Sequence, residues 1–246
     1  MFHIFIISLQ NSPRRAFMQE QCTHLDRDIC QVHFFDAIDF RTNAYPALNS
    51  KIKPLWNRIY WGRELSISEL GCFGSHYSLW EKCIELNAPI IVLEDDVKLE
   101  SFFMQGLQEI DQSGFEYVRL MGLFDVKIEP IKTKSAESKL AESTTKTQHF
   151  FKTTDQIAGT QGYYLTPNAA KKFIAKLHSF CMPVDDYMDC FFIHKVGNIL
   201  YKPYLIAPAE LESTISGRIK QPFSVFKITR ECFRLWRKLR RLLHCL

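Results

Sequence analysis

The sequence predicts an α/β fold in which a mainly parallel sheet is flanked by helices. Three observations carry this. Short, continuously apolar runs recur, as over 3–9 and 89–93, and such runs suit strands covered on both faces. Segments with apolar residues at helical spacing alternate with them. The chain has 246 residues, 46% of them apolar and 24% charged, which excludes wholesale disorder and provides enough chain for one sizeable core. No apolar run approaches the roughly 20 residues of a membrane span.

The elements follow in order. Residues 3–9 read as a buried first strand, not an export signal, because no basic segment precedes the run. Asn11, Ser12 and Pro13 open a helix, since Asn and Ser cap and Pro suits the first turn. Residues 29–36 read as a second strand and 41–62, with Pro46 and Pro54, as loop. Ser66 with Glu69 forms a capping-box pattern that starts a helix over 66–87. Its face of Gly71, Gly74, Ser75 and Ser78 allows close approach of a backbone or ligand. Residues 89–93 form a strand, 102–110 a helix and 117–124 a strand. The polar stretch 125–148 is expected to be a mobile loop or insertion. Residues 162–165 read as a strand, 167–178 as a helix capped by Thr166, 184–195 as a helix, and 199–206 as a strand interrupted by Pro203.

The net charge of +4 hides an asymmetry. The nine Lys and Arg from Arg218 onward face one acid, Glu231, so a basic tail over 218–246 follows an acidic domain over 1–217. Cys232, Leu235, Trp236, Leu239, Leu242, Leu243 and Leu246 recur at helical spacing, and Arg230, Arg234, Arg237 and Arg241 form a second stripe. A helix with one apolar and one cationic face suits an anionic membrane surface. Packing on the body is the other reading, and nucleic acid is not expected as a partner. The eight cysteines include no C-x-x-C pair, which argues for reduced thiols in a cytoplasm and against a zinc site.

Glu94, Asp95 and Asp96 follow the apolar strand at once. In open α/β sheets ligands bind at the carboxyl ends of strands. Extended backbone alternates its side chains, so Glu94 and Asp96 are expected on one side and Asp95 on the other. Two carboxylates together suit a hard divalent ion, Mg²⁺ or Mn²⁺. A polar turn whose acid caps the next helix is the alternative.

These residues resemble glycosyltransferase family 25. The run IIVLEDDV over 90–97 resembles its acidic motif, SISELGCFGSH over 66–76 the helix before it, and IISLQNSPRR over 6–15 its opening strand and Arg-bearing helix. GYYLTPNAA over 162–170, PVDDYM over 183–188 and ESTI over 212–215 resemble later blocks, in order. The resemblance covers about residues 1–216. It implies a GT-A-like (Rossmann-like) fold, inversion at the anomeric carbon and a divalent metal at the acidic motif. It also implies UDP-galactose as donor and a lipid-linked lipopolysaccharide or lipooligosaccharide acceptor. With the basic tail, it implies a cytoplasmic protein peripheral on the inner face of a bacterial inner membrane.

Such chemistry asks for a neutralised diphosphate, a base for the acceptor hydroxyl and a held donor. Asp96 is the expected main metal ligand, helped by Glu94 or Asp95, with contact to ribose or sugar as the other role for Glu94. Asp185 and Asp186 are the base candidates, Asp185 equally suiting a helix cap, while Glu210 and Glu212 are weaker ones. Asn11, Arg14 and Arg15 lie where a base or phosphate is met. Glu69 and His76 are candidate donor contacts, with a capping acid and a core histidine as the alternatives. Gly159, Thr160 and Gln161 form a turn suited to walling the sugar. Neither His178 nor His194 is assigned as a further ligand. Two competing readings remain: a nucleotidyltransferase acting on a sugar phosphate, which lacks an early Gly-rich phosphate loop here, and a non-catalytic membrane-binding module.

Overall fold

The computed structural model describes residues 1–41, 45–131, 148–209 and 226–243. In chain order the elements are β1 (Phe2–Ser8), α1 (Arg14–Cys22), β2 (Cys30–Asp36), α2 (Pro46–Asn49), α3 (Pro54–Trp61), α4 (Ile67–Leu86), β3 (Ile90–Glu94), β4 (Val97–Leu99), α5 (Phe103–Ser113), β5 (Tyr117–Arg119) and β6 (Glu129–Pro130). There follow β7 (Phe150–Lys152), β8 (Gly162–Leu165), α6 (Pro167–Lys176), α7 (Val184–Met188), α8 (Phe191–His194), β9 (Ile199–Tyr201), β10 (Ile206–Pro208) and α9 (Phe226–Leu243).

Eight strands form the central sheet in the order β2-β1-β3-β8-β5-β9-β7-β6. β1 runs parallel to β2 on one side and to β3 on the other, with Ile7 level with Glu94 and Ser8 level with Asp36. The chain thus leaves β1 toward one edge and returns across it, which makes the carboxyl ends of β1 and β3 the switch point where α/β sheets bind ligands. β8 runs against β3, with Leu93 opposite Gly162, so the start of β8 meets the end of β3. A small antiparallel pair, β4 with β10, lies just after the acids. Opposite sheet faces are covered by separate apolar clusters: Phe73, Trp80, Phe173, Tyr187 and Phe192 in one, Met18, Phe103, Leu107 and Ile110 in the other.

α4 is fixed by its capping box. Ser66 Oγ accepts from Glu69 N at 3.2 Å and Glu69 Oε2 accepts from Ser66 N at 2.8 Å. The small-residue face meets backbone. Ser75 Oγ accepts from Ile38 N and donates to Gly71 O, both at 2.8 Å. A Cβ on Gly71 would fall far inside contact distance of the Ile38 carbonyl oxygen.

Several expected elements differ. The loop expected over 41–62 contains α2 and α3, each with Pro in its first turn, where the missing N–H costs nothing. The helix expected over 184–195 breaks after Met188, where Asp189 turns inward to Arg119. The strand expected over 199–206 divides between two sheets at the cis Lys202-Pro203 bond. Within 125–148, Glu129–Pro130 pairs with β7, while 132–147 lie outside the described residues.

α9 lies on α3. Phe233 packs on Tyr60 with centroids 4.7 Å apart, and Trp236 on Phe192 at 5.6 Å. The expected stripe of four arginines on one outward cationic face does not form. Arg237 turns inward to Asp186, and Arg230 and Arg234 pair with Glu231. Ile228, Leu235, Leu239, Leu242 and Leu243 remain exposed. No helix among the described residues is long and apolar enough to cross a membrane.

Candidate active site

The carboxyl ends of β1 and β3 open into a cavity of about 540 Å³. Arg14, in the first turn of α1, reaches across it. Its guanidinium lies 3.4 Å from Asp95 Oδ1 and 3.5 Å from Asp96 Oδ2. Ser8 Oγ donates to Asp95 Oδ2 at 2.6 Å. The expected alternation, Glu94 with Asp96 against Asp95, fails for a local reason. β3 ends at Glu94 and a tight turn carries Asp95 and Asp96 into β4, so both aspartates converge on Arg14.

Glu94 and Asp96 are shifted in opposite directions. Burial opposes ionisation of Glu94, but the bonds from His76 and Thr160 and the charges of His76 and Arg119 more than offset it, so its pKa falls below the ordinary value. Asp96 has the reverse balance. Burial and then the charge of Glu94 raise its pKa to about 6, against the pull of Arg14. Asp96 Oδ1 is buried and has no hydrogen-bond partner among the described residues. An orphaned carboxylate oxygen on the wall of a cavity, beside two more acids, fits a hard divalent cation. A softer donor set, Cys72, His76 and Glu94, also has its ligand atoms within 4.8 Å of one another. Burial, Glu94 and Asp185 hold the Cys72 thiol well above its usual range, which keeps it protonated and a poor ligand.

His76 is oriented from behind. Trp80 Nε1 donates to Tyr163 Oη at 3.1 Å, and Tyr163 Oη lies 2.8 Å from His76 Nδ1. On its other side His76 Nε2 faces Glu94 Oε1 at 3.4 Å. Thr160 Oγ1 donates to the same oxygen.

The adjacent wall is α7 and the turn before β8. Ala158 and Gly159 both have left-handed backbones, with φ of 55° and 73°. Arg119 donates to Gly159 O and to Asp189 Oδ1, the latter at 3.1 Å. Asp185 Oδ2 accepts from Gly159 N at 3.4 Å and remains partly exposed. Asp186 is buried and accepts from Gln156 at 2.9 Å and Arg237 at 2.8 Å. Burial and the charge of Asp185 raise its pKa to about 6, against Arg237.

Of the expected residues, Arg14, His76, Glu94, Asp95 and Asp96 line the cavity. Arg15 turns away to Asp36 and lies over the Phe34 ring. Glu69 accepts two bonds from Arg63, at 2.6 and 2.7 Å, besides its capping bond. Asn11 is exposed in the turn before α1. The Gln161 amide lies over Gly159. His194 is a buried core residue accepting from Val196 N, with its pKa lowered to about 3 by burial. Glu210 and Glu212 lie outside the described residues. Sequence reasoning does not find Arg119, and it places Arg237 in the tail's cationic stripe and not beside Asp186. An arginine inside the apolar run 117–124 is the one available signal, because a buried guanidinium demands a partner.

The family model for glycosyltransferase family 25 (LPS biosynthesis protein) matches residues 1–188. The chain belongs to glycosyltransferase family 25. A "Glycosyltransferase 25 family member" of Aedes aegypti is 29% identical over 199 residues, covering 77% of this chain and 31% of that one. "Procollagen galactosyltransferase 2" of Homo sapiens is 28% identical over 211 residues, covering 82% and 32%. A "Probable inactive glycosyltransferase 25 family member 3" of Rattus norvegicus is 35% identical over 112 residues, covering 44% and 19%. This family 25 chain thus spans at most about a third of the length of these relatives.

Proposed function

We propose that this chain is an inverting, metal-dependent hexosyltransferase of GT-A-like fold. In this reading it moves galactose from UDP-galactose to a lipid-linked oligosaccharide of the lipopolysaccharide type. The observation that carries the reading is Asp96 Oδ1, buried and without a hydrogen-bond partner among the described residues, at the switch point of the sheet. Asp96, with Asp95 or Glu94, would hold Mn²⁺ or Mg²⁺, which when bound supplies Lewis-acid neutralisation of the diphosphate. Arg14 lies between Asp95 and Asp96 and offers positive charge to the same phosphates. Glu94, fixed by His76 and Thr160, accepts a sugar or ribose hydroxyl.

Asp185 is the better placed base. Its neighbour Asp186 is engaged by Gln156 and Arg237, whereas Asp185 is partly exposed beside the 158–160 turn. There it accepts the acceptor hydroxyl's proton as that oxygen attacks the anomeric carbon. The exposed leucines of α9, flanked by Arg234, Lys238 and Arg240, support a helix lying on an anionic membrane surface, the cytoplasmic face of an inner membrane.

Calorimetry with UDP, with and without Mn²⁺, followed by transfer from UDP-sugars to an oligosaccharide panel, tests the reading. Metal-dependent UDP binding and hexose transfer are expected. Full turnover in chelator, or UDP binding unchanged in Asp96→Asn, would overturn it.

A further inference from the structure

A second cavity, of about 870 Å³, lies where α9 crosses α3 and the end of α6. One wall is a run of four rings. Trp56 stacks on Tyr60 at 5.5 Å, Tyr60 meets Phe233 at 4.7 Å, and Phe233 stacks on Trp236 at 5.4 Å. Aromatic surface of this extent is normally closed by the protein's own side chains. Here Trp56 and Trp236 stay 44% and 41% exposed. Two cations, Lys53 and Lys176, line the same cavity, and neither has an acidic partner among the described residues. An apolar trough with unneutralised ammonium groups complements a ligand with an apolar tail and an anionic head.

Two further observations say which ligand. The groove is continuous with the exposed stripe of α9, because Trp236 lines it and Leu239, one turn on, is 52% exposed. The groove also abuts the reaction wall: Tyr187 lines it, and its chain neighbour Asp186 is held by Arg237, one turn beyond Phe233. The volume is in the range of about 300–1,000 Å³ that small-molecule ligands occupy.

We infer that this groove holds the alkyl chain of an anionic, membrane-derived lipid, with the headgroup against Lys53 and Lys176. Its role as the seat of the acceptor's anchor rests on the proposed lipid-linked acceptor. Its chemistry does not.

The test titrates the full chain with dodecyl phosphate below its micelle concentration, reading tryptophan emission and calorimetric stoichiometry. One saturable site is expected, with no response to inorganic phosphate at equal concentration. Exchange of Lys53→Glu together with Lys176→Glu is expected to weaken dodecyl phosphate on the order of tenfold or more and to leave neutral dodecyl maltoside unchanged. Thr229→Trp, which fills the groove, is expected to remove binding of both. A melting curve like that of the unaltered chain qualifies each variant. The inference is overturned by absence of a saturable site, by an equal response to inorganic phosphate, or by wild-type affinity in the charge-reversed pair. Binding only to anionic vesicles, with none to the monomeric amphiphile, also overturns it. No nucleotide or metal enters this assay. Failure of UDP binding beside intact dodecyl phosphate binding therefore removes the transferase reading alone, and the converse result removes the groove alone.

Discussion

Arg237 of α9 and Asp186 of α7 form an ion pair at 2.8 Å with their side chains only 10% and 7% exposed. The guanidinium also lies 5.1 Å from the Trp61 ring centroid and 5.5 Å from that of Phe233. The basic tail is thereby built into the wall that carries the candidate base. Loss of one partner leaves a buried charge alone, which costs roughly 3–5 kcal/mol. Arg237→Ala is expected to destabilise the chain by about that amount at pH 8 and by less at pH 5. Asp186 already titrates near pH 6, and loss of Arg237 raises it further, so at pH 5 it is protonated in both proteins. Urea unfolding at the two pH values reads the difference, and an equal loss at both would refute the coupling.

Asp96 and Glu94 make opposite demands on pH. The folded pKa of Asp96 lies above its unfolded value, so its contribution to stability is greatest below about pH 4 and declines as pH rises to about 6. That of Glu94 lies below, so its contribution is present above the unfolded value and disappears as pH falls through the folded one. Asp96→Asn is expected to raise Tm at pH 7.5 while removing metal-dependent UDP binding. Glu94→Gln is expected to lower Tm there. Both differences shrink in acid. A fall in Tm for Asp96→Asn at pH 7.5 would contradict the assigned strain.

Asp185→Asn separates binding from chemistry. A positioned base contributes about 10²- to 10⁴-fold in rate. The variant is expected to lose that much kcat while UDP affinity stays within about threefold. Unchanged kcat would move the base to another group.

Tyr163→Phe removes the hydroxyl that accepts from Trp80 and holds His76. Leaving the buried indole N–H and imidazole nitrogen without a partner costs about 1–3 kcal/mol. Lower Tm and weaker UDP binding are expected together, and undiminished UDP affinity would show that His76 needs no support from behind.

Gly71→Ala drives a methyl into the Ile38 carbonyl, where backbone meets backbone and neither can swing away. A loss of about 1–3 kcal/mol is expected in urea unfolding. A neutral result would mean that α4 can slide on the 37–38 segment.

Much of this was legible because it is written locally. β1, β3 and α4 announce themselves through unbroken apolar runs and the Ser66–Glu69 box, and the acids read as a strand-end cluster from their place in the chain. α2 and α3 were missed because Pro46 and Pro54 look like breakers unless placed in a first turn. The side-chain directions of Asp95 and Asp96 were misread because alternation holds only while the strand continues. Arg119 with Asp189, and Arg237 with Asp186, pair across 70 and 51 positions, and no local pattern encodes such partners.

β8 enters the sheet head-to-tail against β3, and the strands bracketing residues 132–147, β6 and β7, end the sheet on its far border. The strand order therefore separates two kinds of freedom. Thr160 is delivered to Glu94 by the turn before β8, while a change of chain length between β6 and β7 falls four strands or more from β3. That border is where an engineer lengthening or tagging this chain internally has room to work without touching the carboxylates.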